Sequence, residues 1–331
     1  MKNKFSAIDA IKGFLIGMFS YLFMTLVILV VQTSIAIKNG QEDFTMTKPV
    51  YFISGILLEA SFLICLLFVG KKKNVFESLC LNKKINIKAL ALCIIISLTT
   101  LLSFISFNNL FLMFLEKLGC DTQSSTGSYI ENIWDLLISL FVLAVMPAIC
   151  EEVLFRGVCA NGLKEKGKWF SIIVSAVLFM IVHLGLSQSI YQVILGIIFA
   201  YVLYITKSLW YTIIMHFFNN AFVLIVTYFT KSNSQTPTFD TTWEYILPFI
   251  ILFIGGVAVF FLLKLLKIQV NKLEPQHEEK NIENQTQTTQ VNSVYDQNMQ
   301  KLENIYFKKI FVLCLVISVT IYLIAVIGSF F

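Results

Sequence analysis

Repeated apolar runs, each close to the length that crosses a membrane, dominate this sequence. A helix needs about 20 mostly apolar residues to span the hydrocarbon layer of a bilayer. The runs lie at about 11–37, 50–70, 88–113, 133–150, 169–186, 188–206, 208–230, 243–267 and 309–331. Because 57% of the 331 residues are hydrophobic and only 14% are charged, no water-soluble domain of this size could bury them. The sequence therefore predicts an all-α, polytopic integral membrane protein with about nine transmembrane helices.

Lysines fall in alternate loops between these runs. They occur around 71–88, 164–168, 207 and 264–272. Since lysine and arginine resist translocation, this pattern predicts a cytoplasmic N-terminus, in a membrane that we expect to be a bacterial plasma membrane. The net charge of +5 is spread over short loops and not over one basic face. Membrane lipid is therefore an expected partner, and nucleic acid is not.

Changes in composition divide the chain into four parts. Residues 1–130 contain helices one to three, and residues 131–267 contain helices four to eight, which hold the candidate chemistry. Residues 268–307 are rich in Asn, Gln, Thr and Glu, a composition that cannot bury enough apolar surface to fold alone. We expect a flexible cytoplasmic linker there, followed by a final transmembrane helix at 308–331.

Ionisable side chains inside a membrane cost at least about 2.5 kcal/mol each, so those within an apolar run are functional candidates. They concentrate at the end of the fourth run, which reads MPAICEEVLFRGV and contains Glu151, Glu152 and Arg156. Glu152 and Arg156 are four residues apart, so one helical face brings them together as a structural ion pair. Glu151 points about 100° away and keeps its carboxylate free. Pro147 lacks a backbone N–H and favours a kink just before the acidic pair.

Two histidines complete the candidate site. His183 lies inside the fifth run, and His216 shares a helical face of the seventh run with Asn220. The predicted topology places them at the depth of Glu151. A carboxylate, two imidazoles and an amide provide a base for water and donors for an oxyanion, which are the parts of a hydrolase. Alternatively, Glu151, His183 and His216 could bind zinc and leave one position open for water. The sequence leaves both versions open.

Together these motifs resemble the CPBP family of CAAX prenyl endopeptidases and bacteriocin-processing proteins. The family pattern is E-E-x-x-x-R, then F-x-x-x-H, then H-x-x-x-N on successive helices, and the chain has it at Glu151–Arg156, Phe179–His183 and His216–Asn220. The resemblance covers about 130–230 and implies an eight-helix intramembrane protease core. It also implies that Glu151 and His183 position the water, while His216 and Asn220 polarise the scissile carbonyl.

The resemblance leaves the metal and the substrate open. Members are described both as metalloproteases and as metal-independent glutamate proteases, so a divalent metal such as zinc is one alternative and no cofactor is the other. The implied substrate is a membrane-associated peptide or protein, either a prenylated CAAX type or a bacteriocin precursor. A non-catalytic immunity or scaffold protein on the same fold is the second hypothesis. A proton-coupled transporter ranks third, because the sequence has no two related halves with broken helices.

Overall fold

Helices make up most of the residues that the computed structural model describes, which are 4–38, 47–71, 73–120, 129–230, 242–272 and 293–328, without the side chains of 293–299. The apolar helices are α1 (Ala7–Lys38), α2 (Lys48–Val69), α3 (Ile87–Lys117), α4 (Ile133–Lys166), α5 (Lys168–Val182), α6 (Leu186–Thr206), α7 (Leu209–Thr230), α8 (Thr242–Asn271) and α9 (Ser293–Gly328). All of these except α5, which has 15 residues, are long and apolar enough to cross a membrane. The described residues contain no strand. The predicted all-α polytopic class is confirmed.

Polar residues and a glycine fix where several helices begin. The side-chain oxygen of Asn86 accepts hydrogen bonds from the backbone N–H groups of Lys88 and Ala89 at the start of α3. Asn132 caps α4 in the same way, and such caps satisfy N–H groups that have no partner within the helix. Gly167 alone separates α4 from α5 and has a φ of 119°, which L side chains rarely adopt. The glycine therefore permits the short turn between these two helices.

Helix α4 is wound unevenly. Leu140–Val145 and Glu152–Ala160 are π-helical, and the segment between them, Met146–Glu151, is α-helical and contains Pro147. Proline has no N–H with which to continue the regular ladder of hydrogen bonds. The disturbance predicted at Pro147 thus takes the form of changed helical winding on both sides of the residue. Turns of π-helix are rare and often lie at functional sites.

The second half of α4 lies at the centre of the molecule. Every residue from Glu151 to Ala160 is buried, and α1, α5 and α7 pack around this segment. Small residues allow the surrounding helices to approach closely: a Cβ atom at Gly196 of α6 would lie 2.8 Å from the Cα of Ala176 in α5. The packing therefore keeps the ionisable side chains of α4 away from lipid.

The C-terminal part of the chain departs from the prediction. Of the expected linker at 268–307, residues as far as Asn271 continue α8, and residues from Ser293 onward already belong to α9. Residues 273–292 of this linker lie outside the described residues. A helix that has formed in an apolar span extends into flanking polar residues at little further cost, which explains the longer helices. The aromatic rings of Phe307 and Phe311 contact Phe170, so α9 packs against α5.

The division into four parts and the cytoplasmic N-terminus stay predictions. Lys72, in one of the lysine-rich loops, lies outside the described residues.

Candidate active site

The four residues predicted to carry chemistry meet at one cavity. This cavity has a volume of about 550 Å³ and lies among α1 to α7. Glu151, His183, His216 and Asn220 all line it. They come from the middle of α4, the end of α5 and the middle of α7. The structure thus brings together side chains that are far apart in the sequence.

A chain of polar contacts runs from Glu151 through His216 to Arg156. Nε2 of His216 lies 3.7 Å from Oε2 of Glu151, and Nδ1 of the same ring lies 3.0 Å from Oε1 of Glu152. Oε1 of Glu152 also lies 2.9 Å from Nη1 of Arg156, so the ion pair expected from the spacing is present. Both partners of that pair are buried. Glu152 is therefore more than a structural partner of Arg156, because it also orients His216.

Phe179 connects this chain of contacts with the second histidine. Its ring centroid lies 4.3 Å from the guanidinium carbon of Arg156 and 4.7 Å from the ring centroid of His183. Nδ1 of His183 lies 2.9 Å from the carbonyl oxygen of Phe179. A carbonyl only accepts hydrogen bonds, so Nδ1 carries the proton and Nε2 of the neutral ring is an acceptor. The F-x-x-x-H spacing therefore fixes the tautomer of His183.

Asn220 is held by a network of amide and hydroxyl groups. Its Nδ2 donates to the carbonyl oxygen of Leu143 at 3.2 Å. Pro147, four residues after Leu143, has no N–H for that carbonyl, so Asn220 supplies a donor. Nδ2 of Asn219 donates to Oδ1 of Asn220 at 3.3 Å, and the hydroxyl of Tyr191 donates to Oδ1 of Asn219 at 2.6 Å. These bonds orient the amide of Asn220 and leave its second N–H for the cavity.

Removing the amide of Asn220 should destabilise the fold by about 0.6–1.7 kcal/mol, the range measured for hydrogen bonds between membrane helices. Asn220→Ala deprives the Leu143 carbonyl of its donor. In a Pro147→Ala background, the new backbone N–H can satisfy that carbonyl, so the same change should cost less. Unfolding by SDS in mixed micelles measures both costs, with Asn109→Ala as a control on another amide of the cavity wall. An equal cost in both backgrounds would contradict the pairing of Asn220 with Leu143.

A carboxylate that the sequence reasoning missed lies in the same cavity. Glu59 of α2 lines the cavity with Glu151, and its Oε2 is buried without a hydrogen-bond partner. The prediction that membrane-embedded ionisable residues concentrate in the fourth run is therefore incomplete. The signal was present, because Glu59 lies in the middle of the second apolar run. The cost of burying a charge singles it out in the same way as Glu151.

The zinc alternative needs three side chains directed at one point. Within the described residues, no group of three His, Cys, Asp or Glu side chains is arranged to hold a metal ion. One ring nitrogen of His183 is engaged by its own helix, and both ring nitrogens of His216 face carboxylates. A ligating histidine commonly bonds through its other ring nitrogen to a carbonyl or a carboxylate, as Nδ1 of His183 and Nδ1 of His216 do. The metal site at Glu151, His183 and His216 therefore stays a prediction.

Comparison with known families agrees with the motifs. Residues 133–222 match the family model described as "Type II CAAX prenyl endopeptidase Rce1-like". We refer to residues 133–222, which are similar to this family, as the Rce1-like domain. The Rce1-like domain contains all of α4, α5 and α6 and the part of α7 that carries His216 and Asn220. The family resemblance drawn from the three motifs is confirmed.

A comparison with curated proteins finds a similar sequence that is named as a peptidase. The chain is 30% identical over 105 residues to "Putative membrane peptidase YdiL" of Bacillus subtilis. The match covers 31% of this chain and 43% of the relative, so the chain spans less than half of that protein's length. No solved structure matches the chain. Glu59 lies outside the part of the chain that the family model covers.

Proposed function

We propose that this protein is an intramembrane endopeptidase in which Glu151 activates the water that cleaves a peptide bond. The position of Glu151 carries the proposal. Its Oε2 is buried, makes no hydrogen bond and lies 3.7 Å from Nε2 of His216. A buried carboxylate oxygen without a partner lowers stability, and a membrane protein retains such a group where it has a task. The Rce1-like domain and the peptidase relative support this class of reaction.

Two acceptors bind the attacking water in this mechanism. One is Oε2 of Glu151, and the other is Nε2 of His183, which accepts because Nδ1 donates to the Phe179 carbonyl. The water donates one O–H group to each, and this directs a lone pair of its oxygen towards the substrate. Glu151 takes the proton as the oxygen attacks the carbonyl carbon. The 3.7 Å between Glu151 and His216 exceeds a direct hydrogen bond, so Oε2 remains available for the water.

Two donors stabilise the negative charge that develops on the substrate oxygen. Glu152 accepts from Nδ1 of His216 and stabilises the protonated form of the ring, so that Nε2–H can donate to the oxyanion. The second N–H of Asn220 is the other donor. In this mechanism Glu152 is a positioning residue, since it acts through His216.

The lining of the cavity favours a peptide as the substrate. Amide side chains occur on the wall formed by α3 and α6, where Asn108, Asn109, Gln188 and Gln192 offer both donors and acceptors to a peptide backbone. Gln188 is exposed, so the cavity reaches the surface of the bundle there. We propose a membrane-associated peptide or protein as the substrate. The amides favour a plain peptide of the bacteriocin-precursor type over a prenylated CAAX segment.

The proposed location is the plasma membrane of a bacterium, with the N-terminus in the cytoplasm. The loops that follow α2 and α6 carry Lys71, Lys73 and Lys207, and Lys166 and Lys168 flank the turn after α4, which favours the cytoplasmic side for all three connections. Gln188 lies in the first turn of α6, at the other end of α5 from the turn at Gly167. In this orientation, the cavity opens towards the outside of the cell.

Cleavage of a peptide panel by the purified full-length chain in detergent tests the proposal. The panel contains fluorogenic plain peptides and the same peptides with a farnesylated C-terminal cysteine motif, each assayed with and without a chelator. Glu77→Gln, which changes an exposed carboxylate outside the cavity, is the matched control. We expect the wild type and Glu77→Gln to cleave the plain peptides equally well, with or without the chelator.

Other outcomes of this assay contradict parts of the proposal. Cleavage that is lost with chelator and restored by zinc would replace carboxylate chemistry with metal chemistry. Cleavage confined to farnesylated peptides would overturn the preference for plain substrates. The absence of any cleavage would contradict the peptidase and favour an immunity or scaffold protein.

A further inference from the structure

Glu59 is a membrane-embedded carboxylate that the mechanism above does not use. It lies on α2, outside the Rce1-like domain, and faces the cavity that Glu151 lines from α4. Its Oε2 is buried and makes no hydrogen bond, as is also true of Oε2 of Glu151. Two carboxylate oxygens without partners therefore face one cavity from two different helices.

The cavity around Glu59 is lined by two histidines, His183 and His216. The described residues that line the cavity include no lysine or arginine. Tyr21 of α1 and Glu151 of α4 line the cavity together with Glu59. Helix α2 packs against Met146–Glu151 of α4, so the two carboxylates face the cavity from neighbouring helices.

Two carboxylates that share an apolar cavity do not readily ionise together, because like charges repel strongly where water is scarce. Such a pair holds one proton between its members, and one carboxylate then acts as a base while the other acts as an acid. The departing nitrogen needs a proton, and a single base can return the proton that it took from water only if it reaches both the water and the nitrogen. A second acid on another helix removes that requirement. The protonated member of a carboxylate pair can provide that proton.

We propose that Glu59 is a second catalytic carboxylate, which donates a proton to the leaving nitrogen after Glu151 has activated water. This inference rests on the proposed function and deepens it. It divides the acid and base roles between two helices. The cavity between α2 and α4 is then where the scissile bond lies.

The steps balance without any further reactant. Glu151 removes a proton from water, the water oxygen bonds to the carbonyl carbon, and the electrons of the C=O π bond move to oxygen. When the carbonyl re-forms, the C–N bond breaks, its electron pair moves to nitrogen, and Glu59 gives that nitrogen its proton. The products are a carboxylic acid and an amine. The proton on Glu151 then passes to Glu59, which restores the starting state with one water consumed.

The role of Glu59 as an acid is tested by comparing a peptide substrate with an ester substrate. An ester with the same acyl part as the peptide releases an alcohol, which departs far more easily than an amine. We expect Glu59→Gln to lower kcat for the peptide by about 10²-fold, a typical contribution of general acid catalysis, and to leave ester cleavage within a few-fold of wild type. Glu151→Gln should abolish the cleavage of both. Glu77→Gln, an exposed carboxylate on another segment, should change neither.

Each alternative role of Glu59 predicts a different result. If Glu59→Gln lowers kcat equally for peptide and ester, Glu59 supports the fold or binds substrate. If it lowers kcat for neither, Glu59 has no role in the reaction. Either result overturns the proposal. Glu59→Asp retains the acid and should restore part of the peptide cleavage, which separates chemistry from folding if Glu59→Gln is unstable. If wild type cleaves neither substrate, the proposed function itself fails. If wild type cleaves both substrates, Glu59 is supported as the acid only when Glu59→Gln loses peptide cleavage and retains ester cleavage.

Discussion

Glu151→Gln should reduce kcat/KM for the cleaved peptide by about 10³-fold or more, because glutamine has the shape of glutamate but cannot accept a proton from water. The fold should survive the change. Oε2 of Glu151 makes no hydrogen bond that would be lost, and the variant no longer buries the charge of a carboxylate. We therefore expect the thermal stability of the variant in detergent to equal or exceed that of wild type.

Paired measurements of activity and melting temperature test this expectation. Glu77→Gln is the control for the loss of one carboxylate from the surface, since its side chain is 45% exposed. A variant that cleaves peptides at the wild-type rate would remove Glu151 from the mechanism. A variant that loses activity together with its fold would show that Glu151 is structural, and the proposed role as base would then be wrong.

The parts of the site that follow from local spacing could be predicted from the sequence. Glu152 and Arg156 pair because they are four residues apart on one helix, and they lie 2.9 Å apart in the structure. The histidine of F-x-x-x-H bonds to the carbonyl of its own phenylalanine, again four residues back. The apolar runs predict the helices for an equally local reason, since their length matches the thickness of the hydrocarbon layer.

Contacts between helices could not be predicted in this way. Glu152 and His216 are 64 residues apart, and no spacing rule links α4 to α7 before their packing is known. The same limit applies to Asn220 and the carbonyl of Leu143, which are 77 residues apart. The start of α9 at Ser293, before the last apolar run, could not be predicted either, because composition does not show how far a stable helix extends.

Glu59 is a different case. Its position in the second apolar run satisfied the criterion that singled out Glu151. Glu59 stands alone in its apolar run, whereas Glu151 belongs to a motif with Glu152 and Arg156. The energetic cost of an ionisable side chain inside an apolar run is enough to single out Glu59 from the sequence.

Arg156→Met should destabilise the protein by about 3–5 kcal/mol, the cost of leaving one member of a buried ion pair unpaired. Glu152 is 0% exposed and Arg156 is 1% exposed, so neither charge can reach water. Methionine retains much of the volume of the arginine stem and its contact with the ring of Phe179. The loss would therefore come from the charge and not from a cavity. We expect little folded protein in detergent at the growth temperature, as measured by size-exclusion chromatography after heating.

The double variant Glu152→Leu with Arg156→Met separates the two roles of Glu152. Replacing a whole buried ion pair by apolar side chains of similar volume is often neutral or stabilising, so most of the stability lost in Arg156→Met should return. Activity should not return with it, because His216 no longer has the carboxylate that holds its Nδ1 at 3.0 Å. A folded double variant with a rate at least about 10²-fold below wild type would be consistent with Glu152 orienting the histidine. A folded and fully active double variant would reduce Glu152 to the structural partner of Arg156 that the sequence alone suggested.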